Sequence, residues 1–355
     1  MTWILVALVG GVMTGSFALP MKSITRWKWE NMWSLWSVWA LIVVPWTLAW
    51  LTVPNLFEVY RQADAAVVLR VFGCGAVWGV SAIAFGFGVA YMGLALGYAL
   101  MLGLIIAIGS IMPLLTQTPE KISTPEGVTI IVGVLVMIAG IGVCSYAAWL
   151  KERGAGAAAS GQPQKSMLLG LVICLVAGAT APMLNYAFIV GRPLSDTAAQ
   201  LNAAAYGINN FWTAINAPTT FAPNTVWLVA LFGGFFANIV YTLALVARNR
   251  RWRDYAAEGT GKYYFYTFIM GFLWMGSISV YGMAANNMDP KLGASIGWPI
   301  YNGMAVLTGN VLGLLSGEWK HAGRRALVVM LAGLVVLIVG IGVVGYANYL
   351  APPAP

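Results

Sequence analysis

The chain has 355 residues, of which 60% are hydrophobic and only 8% are charged. This composition excludes an ordinary soluble globular protein, because about a quarter of the residues in such proteins are charged. The formal net charge of +8 does not indicate a nucleic-acid-binding protein, since the basic residues lie in separate short connections rather than in one patch.

Long charge-free windows predict ten transmembrane helices, because roughly 20 apolar residues cross the core of a bilayer. The predicted helices lie at 2–21, 32–53, 69–91, 94–116, 127–149, 166–190, 224–247, 263–284, 293–316 and 326–350. The third and fourth of them share one window, which is broken at Tyr91-Met92-Gly93. The sequence therefore predicts an all-α polytopic membrane protein.

The basic residues predict how these helices are oriented. Of the 19 Lys and Arg residues, 14 lie in the first, third, fifth, seventh and ninth connections. Basic residues are retained on the cytoplasmic side, so these connections are predicted to be cytoplasmic and both termini periplasmic. The basic run from Arg248 to Arg253 is interpreted as a topology signal that touches anionic lipid.

Two connections and one helix have unusual compositions. The second helix carries Trp33, Trp36 and Trp39, which indicates an anchor at the headgroup level, with stacking on a sugar as the alternative. The connection 151–165 is rich in Gly, Ala and Ser and is predicted to be a cytoplasmic linker. The longest connection, 192–223, contains an alanine-rich piece that predicts a short external helix.

The two halves of the chain repeat each other. The stretch 271–282 matches the stretch 75–86, with three corresponding pairs: Trp274 and Trp78, Ser277 and Ser81, Tyr281 and Phe85. Further on, Gly133–Leu150 matches Gly333–Leu350. The predicted repeats are 1–150 and 166–355, each with five helices. Because five is odd, the second repeat would be inverted, as in many secondary transporters, whose substrates bind between the repeats.

Enzyme and cofactor motifs are not visible in this sequence. The single histidine, His321, lies in a basic connection, and the three cysteines lie inside apolar windows without a CxxC pair. No pair of metal ligands and no glycine-rich phosphate loop stands out. We therefore expect no catalytic residue, no metal and no cofactor.

Polar and aromatic residues inside the predicted helices are the candidates for a binding site. An unpaired buried amide is costly, so Asn238 and Asn310 are expected to hydrogen-bond between helices. Asn185 and Asn302 are expected to face a cavity. The other candidates fall into three groups. Trp298 shares a helical face with Asn302, and Tyr301 is the neighbour of Asn302. Trp274, Ser277 and Tyr281 share one face of the eighth predicted helix, and Trp78 and Ser81 are the matching residues of the first half. Aromatic planes with amides and hydroxyls suit a sugar, while plain packing is the alternative.

Three segments resemble the L-rhamnose–proton symporter family of the drug/metabolite transporter superfamily. They are PMKSITRWKWENMW (20–33), GAVWGVSAIAFGFGVAYMGLALGYAL (75–100) and GEWKHAGRR (317–325). The resemblance implies ten helices in two inverted five-helix repeats. It also implies uptake of L-rhamnose or a related deoxysugar with protons across a bacterial inner membrane.

Proton coupling requires a titratable group, and no carboxylate lies deep inside a predicted helix. Glu30 is the candidate proton carrier because it belongs to the family-like segment and follows a basic turn that includes Lys22. A surface ion pair of Glu30 with Lys22 or Lys28 is the alternative. The predicted partners are thus a small sugar, protons and the lipid bilayer, and no nucleic acid.

Three other functions remain open from the sequence. A carrier or an exporter of another small metabolite is the alternative within transport. A membrane enzyme would need an acid, base, nucleophile or metal site at membrane depth, and the sequence has no motif for one. A receptor would normally carry a soluble signalling domain, and no connection is long enough to hold one.

Overall fold

The computed structural model of the protein describes residues 2–154, 167–206, 217–289, 291–320 and 322–350. These residues form helices and turns, without a strand among them. Most of the predicted linker, at 155–165, and His321 lie outside the described residues. The all-α fold class is confirmed for the described part of the chain.

Fifteen helices are labelled here in chain order. They are α1 Thr2–Ser16, α2 Trp29–Val38, α3 Val44–Thr52, α4 Leu56–Gln62, α5 Ala65–Met92, α6 Leu94–Gln117, α7 Pro125–Gly154, α8 Met167–Thr180, α9 Met183–Val190, α10 Arg192–Tyr206, α11 Ala217–Thr220, α12 Asn224–Arg248, α13 Gly261–Asn287, α14 Gly293–Leu315 and α15 Arg324–Leu350. Short 3-10 turns lie at Leu19–Ser23, Pro119–Lys121 and Trp252–Ala256.

Within the described residues, nine helical segments are long and apolar enough to cross a bilayer. The protein is therefore a multi-pass membrane protein. The ninth predicted helix forms as α14 but is not among the nine segments. Its polar residues, which include Asn302 and Asn310, make it less apolar than the others. The count of ten spans stays a prediction.

Glycine and proline determine where several helices end. The predicted break between the third and fourth helices is confirmed at Gly93, whose φ of 80° is one that glycine adopts without strain. The predicted helix 166–190 is instead two helices, α8 and α9, separated at Ala181 and Pro182. Proline causes this break because it lacks an N–H and its ring clashes with the preceding turn. The alanine-rich helix is confirmed as α10.

The second membrane segment contains a π-helical turn, Trp39–Val43, between α2 and α3. In this turn the Val44 N–H donates to the Trp39 carbonyl, one residue further back than in an α-helix. Pro45 follows immediately. The wider turn accommodates the proline without ending the helix.

The chain forms two compact units, and each contains segments of both predicted repeats. Unit 1 comprises residues 81–182 and 288–355, and unit 2 comprises residues 2–80 and 183–287. The boundaries fall inside α5 and at the proline break before α9. The two units are defined by contacts in space, whereas the repeats are defined by similarity of sequence. The units therefore do not test the repeats, which stay a prediction.

In unit 1, α7 and α15 pack with their backbones in contact. Gly133 lies against Gly340, and Gly140 lies against Gly333. A Cβ atom on Gly140 would lie 2.8 Å from the Leu337 backbone nitrogen. Small residues permit this close approach in membranes. The order of the contacts shows that these two helices, which match each other in the predicted repeats, run antiparallel.

Unit 2 contains a second close helix contact, between α5 and α12. A Cβ atom on Gly79 would lie 2.7 Å from the Cα atom of Gly234. At this crossing Asn238 donates to the Gly79 carbonyl at 3.3 Å and accepts from the Trp33 indole N–H at 3.0 Å. The interhelical hydrogen bond predicted for Asn238 is confirmed.

Candidate functional site

Unit 2 contains a continuous layer of indole rings contributed by three helices. Trp33 and Trp36 of α2 stack with ring centroids 4.2 Å apart. Trp36 meets Trp274 of α13 edge-on at 5.3 Å, and Trp274 stacks on Trp78 of α5 at 5.2 Å. The structure thus brings together Trp78 and Trp274, the two copies of one repeat position.

The centre of this layer carries an unsatisfied donor. Trp36 is only 1% exposed, and its indole N–H has no hydrogen-bond partner in the described part of the chain. A buried donor without a partner costs about 1–3 kcal/mol. A hydroxyl oxygen reaching this N–H would recover that free energy. The sequence had pointed to Trp36 only as part of a tryptophan stripe.

An amide and a phenol form the second part of the candidate site. The Tyr281 hydroxyl on α13 donates to the Asn185 side-chain oxygen on α9, and both residues are fully buried. Phe188 and Trp227 stack on each other with centroids 5.6 Å apart and flank the Tyr281 ring. Two residues predicted from separate helices are therefore direct partners.

The two predicted serines form hydrogen bonds within and between helices. The Ser277 hydroxyl lies 2.5 Å from the Thr14 hydroxyl of α1 and 2.5 Å from the Trp274 carbonyl. In unit 1, the Ser81 hydroxyl donates to the Ala177 carbonyl at 2.9 Å. These bonds connect α1 to α13 and α5 to α8. Their roles as sugar ligands stay predictions.

Trp298 and Tyr301 are packed within unit 1. The Trp298 indole N–H donates to the Ile105 carbonyl of α6 at 3.0 Å, and its ring fills the space left by Gly109. The Tyr301 ring lies 6.1 Å from it. The structure shows a packing role for Trp298, while sugar stacking by this residue stays a prediction.

Asn302 and Asn310 both bond within their own helix, α14. The Asn302 amide donates to the Trp298 carbonyl at 2.9 Å, and the Asn310 amide donates to the Val306 carbonyl at 2.8 Å. The hydrogen bond expected between helices for Asn310 is therefore an intrahelical one. Asn302 is half-buried, and its amide oxygen accepts no hydrogen bond among the described residues.

Asn224 is a buried polar residue that the sequence did not indicate. Asn224 accepts from the Ser279 hydroxyl at 2.6 Å and donates to the Thr52 hydroxyl at 2.8 Å. Asn224 stands at the first position of α12, directly after Pro223. Because Asn224 lies at the edge of a predicted helix, the sequence did not indicate that this residue is buried, with only 2% of its surface exposed.

Glu30 lies in the first turn of α2 and is 8% exposed. Its carboxylate accepts from the Asn249 amide at 2.8 Å. The segment after α12 also covers the next residues of α2, because Asn31 donates to the Arg251 carbonyl and Ser34 bonds to the Tyr255 hydroxyl. Burial raises the pKa of Tyr255, which keeps it a neutral partner for Ser34.

The partner of Glu30 differs from the one the sequence suggested. The alternative to proton carrying was a surface ion pair with Lys22 or Lys28, but the observed contact is the Asn249 amide. Lys22 lies exposed in the 3-10 turn Leu19–Ser23. Glu30 is therefore a buried carboxylate at the end of a helix rather than a surface residue.

A sequence model of one protein family matches nearly the whole chain. The model described as L-rhamnose-proton symport protein (RhaT) matches residues 1–349. The chain belongs to this family. The resemblance stated from three sequence segments is confirmed, and it extends over nearly the whole chain.

Curated relatives of the RhaT family agree with this assignment. The chain is 27% identical to the L-rhamnose-proton symporter of Citrobacter koseri, over 95% of each chain. It is 28% identical to that of Pectobacterium atrosepticum and 27% identical to that of Yersinia pestis, again over 95% of each chain. These relatives are named as transport proteins and not as enzymes.

Proposed function

We propose that this protein imports L-rhamnose or a closely related deoxysugar together with protons across a bacterial inner membrane. The observation that carries the proposal is the RhaT-family match over residues 1–349. The indole layer and the buried amide–phenol pair support a sugar as the substrate class. Sugars offer C–H faces for stacking and hydroxyls for hydrogen bonds.

The sugar site is proposed to use the residues gathered in unit 2. Trp274 and Trp78 offer flat apolar surfaces, the Trp36 N–H offers a donor, and Asn185 with Tyr281 offers amide and hydroxyl groups. On binding, hydroxyls of the sugar would form hydrogen bonds with Asn185 and Tyr281 in place of the bond that joins these two side chains. The further candidates are Ser277, Ser81, Trp298, Tyr301 and Asn302.

The fold is proposed to be ten helices in two inverted repeats, 1–150 and 166–355. The antiparallel packing of α7 and α15 supports inversion, because these helices are repeat copies of each other. Sugar and proton would cross by alternating access around a central site. Both termini would face the periplasm.

Transport by purified protein in liposomes tests the proposed function. With an inward proton gradient, radiolabelled L-rhamnose is expected to accumulate, and an added protonophore is expected to abolish accumulation. L-fucose and D-mannose serve as related sugars. Failure of all sugars, together with uptake or export of another metabolite, would favour the alternative carrier function.

Cysteine labelling tests the orientation. A cysteine replacing exposed Ala256, in the seventh predicted connection, is expected to react with a membrane-impermeant maleimide only after the inner membrane is opened. A cysteine replacing exposed Gln200 on α10 is expected to react in cells with only the outer membrane permeabilised. The natural cysteines are buried and serve as the background control. Reversed labelling of the two positions would overturn the proposed orientation.

Glu30→Gln tests the proposed proton carrier. Glutamine keeps an oxygen for the Asn249 amide but cannot titrate, so the fold should persist. We expect sugar exchange to continue while accumulation against a gradient is lost. Glu58→Gln is the matched control, because Arg61 and Gln62 hold the pKa of the half-buried Glu58 below its usual value. Normal proton-driven accumulation by Glu30→Gln would remove Glu30 from the mechanism.

A further inference from the structure

An apolar groove runs along unit 2 between α2 and α12. Its volume is about 300 Å³. Its walls are formed by Leu35 and Val38 on one side and by Ile239 and Leu243 on the other. Such a surface matches a hydrocarbon chain, since it offers dispersion contacts and few hydrogen-bonding groups.

One end of the groove is aromatic and polar. Trp252, Tyr255 and Tyr264 line it there, together with Ser34. Trp252 is 54% exposed and Tyr264 is 38% exposed. Exposed tryptophan and tyrosine residues at the end of a membrane segment lie at the level of lipid headgroups. The groove therefore leads from the hydrocarbon region to the interface.

The chain segment that supplies Trp252 and Tyr255 to this end of the groove is strongly basic. Residues 248–262 contain five basic residues, Arg248, Arg250, Arg251, Arg253 and Lys262, against two acidic ones, Asp254 and Glu258. Arg251 is paired with Asp254 at 3.5 Å. In the described part of the chain, the exposed Arg248, Arg250 and Arg253 form no ion pair. This charge complements an anionic headgroup.

Arg250 is held in a backbone conformation that favours glycine. Its φ is 54°, the only positive value at a non-glycine residue among the described residues. It follows the end of α12, where the Arg251 N–H donates to the Val246 carbonyl at 2.9 Å. Glycine is the usual residue at such a helix end. An arginine is uncommon in this conformation, and an uncommon backbone conformation is a reason to test whether the side chain has a function.

We propose that the groove binds an anionic phospholipid from the bilayer. One acyl chain lies along α2 and α12, and Arg250 and Arg253, next to Trp252, bind the headgroup phosphate. The bound lipid stabilises the segment after α12 against the start of α2, where Ser34 meets Tyr255. This proposal is independent of which sugar the protein transports.

Thermal unfolding of the purified full chain in a neutral detergent tests the proposal. Dioleoylphosphatidylglycerol is expected to raise the unfolding midpoint in a saturable way. Dioleoylphosphatidylcholine tests the need for negative charge, and glycerol phosphate tests the need for an acyl chain. Neither is expected to reproduce the effect. Equal stabilisation by the neutral lipid or by glycerol phosphate would overturn the proposal.

Substitutions locate the headgroup. Arg253→Gln is expected to weaken phosphatidylglycerol binding roughly fivefold, the factor for one basic contact near an anionic surface. Arg250→Gly is expected to weaken it similarly while raising the midpoint without lipid, because the glycine relieves the strain. Arg70→Gln, at another exposed arginine, is the matched control and should leave lipid binding unchanged. Unchanged lipid binding in the Arg250→Gly/Arg253→Gln double variant would refute the assignment.

Discussion

Gly140→Val is expected to lower the unfolding midpoint and the yield of folded protein strongly, whereas Gly142→Val should be tolerated. The first substitution places a Cβ atom 2.8 Å from the Leu337 backbone nitrogen, where no flexible side chain can move aside. Gly142 is exposed and has no atom within 4 Å of such a Cβ. Overpacking typically costs about 1–3 kcal/mol. Contact between two backbones belongs at the upper end of that range. Such a cost is a large part of a typical free energy of unfolding, which is about 5–15 kcal/mol.

The repeat supplies a second, independent pair of variants. Gly340 corresponds to Gly140, and Gly342 corresponds to Gly142. A Cβ atom on Gly340 would lie 2.8 Å from the Met137 backbone nitrogen, whereas one on Gly342 would meet nothing within 4 Å. We expect Gly340→Val to lower the yield of folded protein and the unfolding midpoint, and Gly342→Val to leave both nearly unchanged. Monodisperse yield in size-exclusion chromatography and the unfolding midpoint measure both pairs.

The two glycine pairs have a clear opposing outcome. Equal yields of Gly140→Val and Gly142→Val would mean that α7 and α15 are not in backbone contact. The antiparallel packing of the repeat copies would then lose its support. Valine suits this test because a β-branched side chain in a membrane helix has one preferred rotamer and cannot swing away.

The boundaries of the fold could be predicted where they depend on local chemistry. The break at Gly93 follows from a residue that adopts positive φ, and α10 follows from its alanine-rich composition. The π-helical turn Trp39–Val43 could not be predicted, because a proline permits several local distortions and packing selects among them. α7 extends to Gly154, past its predicted end, and in the added turn Arg153 lies over the Trp149 ring at 4.1 Å.

The candidate site was predictable by residue type but not by partner. Helical spacing placed Trp274 and Tyr281 on one face of α13, and both are buried in unit 2. Spacing along one helix does not reveal which helix faces it. For this reason the prediction for Asn310 was wrong: its amide was expected to bond to another helix, but it bonds to Val306 of its own helix. The same limit hid the contact of Trp298 with the Ile105 carbonyl.

Asn185→Leu and Tyr281→Phe are each expected to lower sugar affinity about ten- to a hundredfold. Each substitution breaks the hydrogen bond between Tyr281 and Asn185 and removes a group available to a sugar hydroxyl, at a cost of about 1–3 kcal/mol. Each is also expected to lower the unfolding midpoint for the same reason. The single variants therefore do not separate a binding role from a structural role.

The double variant Asn185→Leu/Tyr281→Phe separates the two roles. Replacing both partners with apolar groups of similar shape removes the unpaired atoms, so the unfolding midpoint should recover toward that of the unaltered protein. Sugar affinity should stay low, because the hydroxyls of the sugar find no partner there. Equilibrium binding of labelled L-rhamnose, measured on the folded fraction alone, gives the affinity.

A second polar pair in unit 2 provides the control. Asn224→Leu and Ser279→Ala break a buried hydrogen bond of 2.6 Å between α12 and α13, the helix that also carries Tyr281. These variants should lower the unfolding midpoint without changing the affinity of the surviving protein. If the Asn185/Tyr281 double variant regains both its stability and its sugar affinity, then the pair only holds α9 to α13. Low affinity with recovered stability would instead make Asn185 and Tyr281 sugar ligands, since no packing defect would remain to explain the loss.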